Sequence, residues 1–398
     1  MKRQPVLLLY CQHSLGIGHL RRSIEIAKAL VRSFRVVFLN GGRFPEAINR
    51  PDGIEFIDLP PLGMGADGIL VTRTKGHNLA QARIMRKELI LEQFRKLQPE
   101  MLLIELFPFG RKKFAFELLP LLRLAKRSQP KPLVVCSLRD ILVDGRDDQQ
   151  HFDNRARWLT DRYFDAVLIH ADPLFSRLEE SFCPQRPLAV PLFYSGFVAA
   201  QQEGGGEPLA AAPGLVVSVG GGQVGANLLH AAVEAQPHIW NQFMLPMTVV
   251  AGPFLPESEW RALKKAAQGR EGLTLLRSVP GLRSLLSHAR ASVSQCGYNT
   301  VMDLLQLRTP ALLVPYSDAG ENEQSKRATK LAALGLARLL RQAELNDRNL
   351  VRGIVQLLRF TPQPVLLDMN GAVNTHDIIA RLLEDRRTNT EAGRGEVA

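Results

Sequence analysis

Cysteine is scarce in this 398-residue chain: Cys11, Cys136, Cys183 and Cys296 lie far apart, with no Cys-x-x-Cys pair. That argues against a disulfide framework and a cysteine-built metal centre, and for a reducing compartment. Aromatic residues make up only 7%, which leaves a nucleic-acid stacking platform unsupported. No apolar run is long enough to span a bilayer. The first one, residues 6–10, has strand length and is read as a strand rather than a signal peptide or anchor. No internal repeat and no Asp-x-Asp pair is present.

What is present is an ordinary globular composition, 45% hydrophobic and 22% charged, at a length that suits two domains. The net charge of +11 is uneven. Residues 1–186 hold 30 Lys/Arg against 21 Asp/Glu, and residues 187–398 hold 20 against 18. The basic half fits an anionic substrate or an anionic membrane surface. A merely solvated surface fits as well, and no nucleic-acid-binding motif accompanies the charge.

Apolar runs of strand length alternate with amphipathic helical segments along the chain. This rhythm predicts parallel, doubly wound sheets with ligands at the C-terminal strand ends. After the first strand comes Gly16-Ile17-Gly18-His19, with Arg22 three residues on and on the same helical face as His19. The glycines permit a tight turn, and an imidazole at a helix start can accept a proton near neutral pH. Residues 60–74 read as a flexible loop. Residues 77–97 read as a helix with basic positions Arg83, Arg86, Lys87, Arg95 and Lys96. Phe107, Phe109, Phe114 and Phe116 are assigned to the core, and the neighbouring lysines are left open. The Gly/Ala/Pro-rich residues 201–213 read as a linker.

The second half opens with Gly220-Gly221-Gly222-Gln223-Val224-Gly225 between a strand and a helix. This satisfies Gly-x-Gly-x-x-Gly, so a dinucleotide-dependent oxidoreductase has to be weighed. That reading needs an acidic residue at the end of the next strand, where the sequence has Ala251-Gly252-Pro253. Further on, Cys296-Gly297-Tyr298-Asn299-Thr300-Val301-Met302-Asp303 leads from a strand into a helix, with Asn299 or Thr300 as its expected cap. Thr309-Pro310-Ala311-Leu312-Leu313-Val314-Pro315 follows, and then Glu323-Gln324 opens another helix. Free N–H groups at such helix starts suit an anion. Asp303, one turn further in, suits a sugar diol. The same acidic residues would also serve simply as helix-dipole partners and caps.

In their order, these segments resemble the C-terminal half of MurG-like GT-B glycosyltransferases, glycosyltransferase family 28. The resemblance implies an α/β fold of two doubly wound Rossmann-like domains facing across a cleft. It implies an N-terminal acceptor-side domain (1–200), a linker (201–213) and a nucleotide-sugar-binding domain (214–370). A helix (371–385) would pack back toward the first domain, and 386–398 would be a disordered tail. Donor contacts are implied at Gly220, Gly221, Gly222, Gln223, Ser278, Val279, Gly297, Asn299, Thr300, Asp303, Glu323 and Gln324. Asp303 falls where the family more often has Glu to hold the ribose, and the glycine loop lacks the frequent serine.

The Gly16, Gly18, His19 and Arg22 loop resembles the acceptor-side loop, with His19 as catalytic base. The implied activity is inverting, metal-independent transfer of a sugar from a nucleotide diphosphate, UDP-linked (for example a UDP-N-acetylhexosamine), to a hydroxyl acceptor. No cofactor is expected. The acceptor is a lipid-linked molecule or a glycan, and the location is cytoplasmic, with peripheral contact at an anionic inner membrane face. The alternatives are a nucleotide-sugar hydrolase in which His19 activates water, and a non-catalytic nucleotide-sugar-binding protein.

Overall fold

The computed structural model describes residues 3–13, 18–45, 48–65, 69–74, 76–200, 214–279, 281–318, 322–364 and 366–395. The expected linker, residues 201–213, lies outside them, as does Gly16. The chain divides into two compact units. The first holds residues 1–142, 147–199 and 367–398; the second holds residues 143–146 and 200–366. The short segment 143–146 had no signal in the sequence to set it apart.

In the first unit the elements run β1 (Val6–Cys11), α1 (Gly18–Leu30), β2 (Arg35–Asn40), β3 (Ile54–Asp58), β4 (Leu62–Met64), β5 (Leu70–Thr72), α2 (Leu79–Leu97), β6 (Met101–Glu105), α3 (Ala115–Arg127), β7 (Leu133–Leu138), α4 (Gln149–Tyr163), β8 (Ala166–Ile169) and β9 (Leu192–Tyr194). Seven of these strands form one sheet in the order β3-β2-β1-β6-β7-β8-β9. Every pairing in it is parallel. The unbroken apolar runs are buried on both faces, as a parallel sheet covered by helices requires. β4 and β5 pair antiparallel, so the expected flexible loop contains a short hairpin. Its register, Leu62 against Thr72, puts Leu62 and Leu70 into buried positions.

The second unit continues with β10 (Leu215–Ser218), α5 (Ala226–Phe243), β11 (Met247–Val250), α6 (Glu257–Ala267), β12 (Leu273–Leu276), α7 (Leu282–His288), β13 (Ala291–Ser294), α8 (Tyr298–Leu307), β14 (Ala311–Leu313), α9 (Glu323–Ala333), β15 (Arg338–Leu339) and α10 (Asp347–Leu357). Its sheet has the order β12-β11-β10-β13-β14-β15, again parallel throughout. Its core joins the inward residues of β10, β11 and β13 to α5 and α10.

The last helix, α11 (Gly371–Gly395), returns to the first unit. Its Ile378, Ile379 and Leu383 share a core with Leu20, Ile24 and Ala27 of α1 and with Leu7 and Leu9 of β1. The sequence reading ended the helix at 385 and left 386–398 disordered; the structure corrects this for residues 386–395, which are helical, while 396–398 lie outside the described residues. No proline interrupts the segment, and Arg386 makes an ion pair with Asp165 of the first unit. The helix therefore continues past its buried stretch to Gly395.

Candidate functional site

Each sheet reverses direction once beside its first strand. β1 has β2 on one side and β6 on the other; β10 has β11 on one side and β13 on the other. In open α/β sheets, ligands bind beyond the C-terminal strand ends at such a switch point.

At the first unit's switch point, Gly18 and His19 open α1. Glu105, the last residue of β6, lies opposite. His19 Nδ1 is 2.5 Å from Glu105 Oε1, and Arg22 Nη2 donates to the same oxygen at 2.6 Å. The pairing of β1 with β6 brings these groups together across 86 residues of sequence. Arg111 Nη2 lies 3.6 Å from Glu105 Oε2. The loop that carries Arg111 turns through two left-handed residues, Leu106 (φ 64°) and Arg111 itself (φ 58°). Such backbone costs of order 1–3 kcal/mol per residue and persists only where the surroundings enforce it.

The electrostatics are those of a buried pair. Glu105 and Arg22 are 1% and 2% exposed, whereas the His19 side chain is 21% exposed. Burial alone would raise the Glu105 carboxyl. His19, Arg111 and Arg22 outweigh it and hold the group well below the usual carboxylate range. Burial, aided by Arg111 and Arg22 and opposed by Glu105, pushes His19 down to about 3. At neutral pH the imidazole is therefore neutral, with Nδ1–H donating to Glu105. Nε2 is left as an acceptor with no hydrogen-bond partner among the described residues.

Neighbouring groups serve as framework. His170 bridges Ser137 and Ser195, at 2.7 and 2.9 Å. Arg86, read from the sequence as one of α2's basic positions, points inward and is fully buried. Its guanidinium clasps both carboxylate oxygens of Glu117, at 2.6 and 2.7 Å, and donates to Gly41 O. Phe107, Phe109 and Phe114 are buried as expected, whereas Phe116 is only half-buried, with Arg83 over its ring.

At the second unit's switch point the materials differ. Gly220, Gly222 and Gly225 all have positive φ. Gly222 packs so closely on the loop after β11 that an added Cβ would lie 2.4 Å from Ala251 O. At Gly225 a Cβ would lie 2.5 Å from Gln295 Nε2. Gln295 N donates to Ser218 O at the end of β10, and the Gln295 side chain packs on Gly225, which sets the glycine loop against the loop after β13. Gln223 is exposed.

The cap of α8 departs from expectation. Gly297 takes the N-cap position with no side-chain cap bond, and the helix starts at Tyr298. Asn299 and Thr300 therefore lie inside the first turn, and Asp303 is the sixth helical residue. Asp303 is 8% exposed and accepts a hydrogen bond from Arg283 Nη1 of α7 at 3.1 Å. Gln324 Oε1, at the start of α9, accepts from Cys296 N and Tyr316 N, at 3.1 and 3.2 Å. It thereby fixes the loops after β13 and β14 to each other. The buried Arg327 donates to Cys296 O from the next turn and lies 4.0 Å from Glu323. Ser278 is exposed and Val279 half-buried in the loop after β12.

The sequence reading missed Glu105 and Arg111 in the first unit, and Gln295, Gly252, Arg283 and Arg327 in the second. For Glu105 the one local signal was a carboxylate closing a fully apolar strand.

Residues 216–382 match the glycosyltransferase family 28 C-terminal domain. A relative from Synechococcus elongatus, named UDP-N-acetylglucosamine–N-acetylmuramyl-(pentapeptide) pyrophosphoryl-undecaprenol N-acetylglucosamine transferase, is 30% identical over 181 residues. That match covers 45% of this chain and 48% of the relative. The chain spans less than half the length of the curated relatives it matches. Among solved structures, the calicheamicin glycosyltransferase CalG4 superposes with a TM-score of 0.58 at 17% identity, covering 100% of both chains. MurG of Acinetobacter baumannii gives 0.55 at 16%, covering 96% of this chain and 100% of that one. No helix among the described residues is long and apolar enough to cross a membrane. The chain thus has a GT-B fold and, over residues 216–382, resembles the C-terminal half of MurG-like glycosyltransferases.

Proposed function

We propose that this protein is a glycosyltransferase that moves a sugar from a nucleotide diphosphate to a hydroxyl acceptor with inversion. One observation carries the reading. In the family-matched unit, a loop of three positive-φ glycines packs against the loop after β13 at the switch point, beside the helix start at Tyr298. Backbone amides so presented suit a diphosphate. Asp303 is assigned to the ribose, Ser278 and Val279 to the base, and Glu323 and Gln324 to the sugar. The donor is assigned as UDP-linked because the matched relatives are named for UDP-N-acetylglucosamine. The family match leaves out β1 to β9, so the acceptor named for those relatives supports only a class, a lipid-linked or glycan hydroxyl.

In this reading His19 acts as base. Its Nε2 takes the acceptor's hydroxyl proton while the oxygen attacks the anomeric carbon, on the face opposite the diphosphate. The bond from that carbon to the diphosphate oxygen breaks, and loop amides stabilise the departing charge. Glu105 steadies the imidazole and opposes the burial that disfavours the imidazolium, which exists only during the transfer. Cytoplasmic, peripheral contact with an anionic membrane belongs to the same proposal. It is supported by exposed Ile84 and Met85 beside Arg83 and Lys87 on α2.

A thermal-shift panel of UDP-, dTDP- and GDP-sugars, on wild type and Asp303→Ala, tests the donor assignment. A ligand at about 100 times its dissociation constant stabilises by roughly 2.7 kcal/mol, a shift of several degrees. The expected result is a shift with UDP-sugars that Asp303→Ala loses. A flat panel would sink the reading. Full-rate sugar release without acceptor would reassign His19 to water. Flotation with vesicles showing no preference for anionic lipid would remove the membrane contact.

A further inference from the structure

Phe254 is a large apolar side chain left 49% exposed, in the loop that follows β11. Single exposed apolar residues are common and need no explanation. This one differs because its loop is fixed on both flanks to segments of the second unit's switch point. On one flank Phe254 N donates to Gly221 O at 2.9 Å. Gly252 (φ 88°) packs against Gly222 so tightly that a Cβ there would lie 2.5 Å from Gly222 N. The Phe254 ring itself borders the glycine loop, 3.4 Å from where a Cβ on Gly221 would stand. On the other flank Arg277, which opens the loop after β12, donates through Nη2 to Leu255 O at 2.7 Å. Arg277 is held in turn by Glu257 and by the face of Trp260. A solvent-facing aromatic ring is thus placed between the glycine loop and the loop after β12.

Strand order says which part of a ligand would meet it. Phe254 follows β11, on one side of β10; Gln324 bonds to the loops after β13 and β14, on the other. A ligand whose diphosphate lies at the glycine loop extends one end toward β14 and the other toward β11 and β12. With the sugar at the β14 end, the nucleoside lies at the end that carries Phe254; Asp303, assigned to the ribose, is turned to that end, since it accepts from Arg283 of α7, the helix after β12.

We propose that Phe254 is the aromatic surface that receives the nucleoside base of the donor. It is a specificity-determining residue that contributes through stacking and leaves diphosphate recognition to the amides. This rests on the donor-site reading above, and the experiment separates the two. UDP, dTDP, GDP and inorganic diphosphate are titrated calorimetrically into wild type, Phe254→Ala and Phe254→Tyr. An aromatic–base stack predicts that Phe254→Ala weakens the preferred nucleoside diphosphate roughly tenfold to a hundredfold. Phe254→Tyr should stay within about twofold, since a tyrosine ring also stacks. Inorganic diphosphate should bind all three proteins alike, which also shows that the loop remains folded. Equal nucleotide affinity in wild type and Phe254→Ala would overturn the role of Phe254 while leaving the donor site standing. So would a matching loss for diphosphate, which would make Phe254 a support of the loop. Absence of nucleotide binding to wild type would remove the donor reading and this assignment together.

Discussion

At the first unit's switch point, His19, Arg22 and Arg111 crowd around one carboxylate, that of Glu105. At the second unit's, the loops are built of glycine backbone, the buried hydroxyls of Ser218 and Ser294, and the amides of Gln295 and Gln324, while the charged Asp303, Glu323 and Arg327 sit on α8 and α9. One topology therefore carries two kinds of chemistry. Ionisable groups in a buried place shift one another's protonation and can move a proton. Neutral dipoles and backbone amides cannot, but they can receive an anion. The sheets are alike; the difference lies in what stands on the first turn after the central strand.

The comparison breaks most severely where a buried charge loses its partner. Glu105→Gln leaves Arg22 without its anion and His19 without its carboxylate. We expect a loss of about 3–5 kcal/mol in stability by denaturant titration. Nucleotide affinity of whatever remains folded should be unchanged. An unaltered midpoint would show that the cluster is solvated rather than buried.

Acid should act on the first unit before the second. His19 and His170 titrate near 3 when folded, against about 6.5 when unfolded. For both, burial is the chief cause. Between these values the unfolded state binds the extra proton, so their contribution is complete above about pH 6.5 and is lost as pH falls toward 3. Each group then contributes a slope of up to about 1.4 kcal/mol per pH unit. His170→Gln should flatten the acid limb of a stability profile; an unchanged slope would contradict the buried neutral imidazole.

The second unit should break through its backbone. At Gly222 (φ 82°) a Cβ meets Ala251 O. Gly222→Ala should cost about 1–3 kcal/mol by thermal unfolding and abolish the nucleotide shift, leaving the His19 cluster intact. The smallest effect is expected at Gly220, where φ is 64° but a Cβ would have nothing within 4 Å. Gly220→Asn, a residue that tolerates the left-handed region, should leave stability within about 0.5 kcal/mol.

These contrasts also explain what was readable in the sequence. Glycine loops and helix starts announce themselves locally, so the positions around Gly220, Gly297 and Glu323 could be placed on loops and helices before any coordinates. The carboxylate that holds His19 could not. Glu105 is distant in sequence, and only the strand order that sets β6 beside β1 brings it there. Arg86 reads only as one more basic position of its helix until Glu117, on a different helix, is seen to clasp it. The cap of α8 misled because Gly297, Asn299 and Thr300 are all plausible caps by residue type. The tail misled because its polar composition hides the absence of any helix stop before Gly395.

The most direct test of the division between the two switch points is a UDP titration of His19→Ala, read beside its turnover of a UDP-sugar. The account predicts donor affinity within about twofold of wild type and turnover reduced by about a hundredfold to ten-thousandfold. A His19→Ala protein that remains folded yet loses UDP binding, or that keeps full turnover, would contradict it.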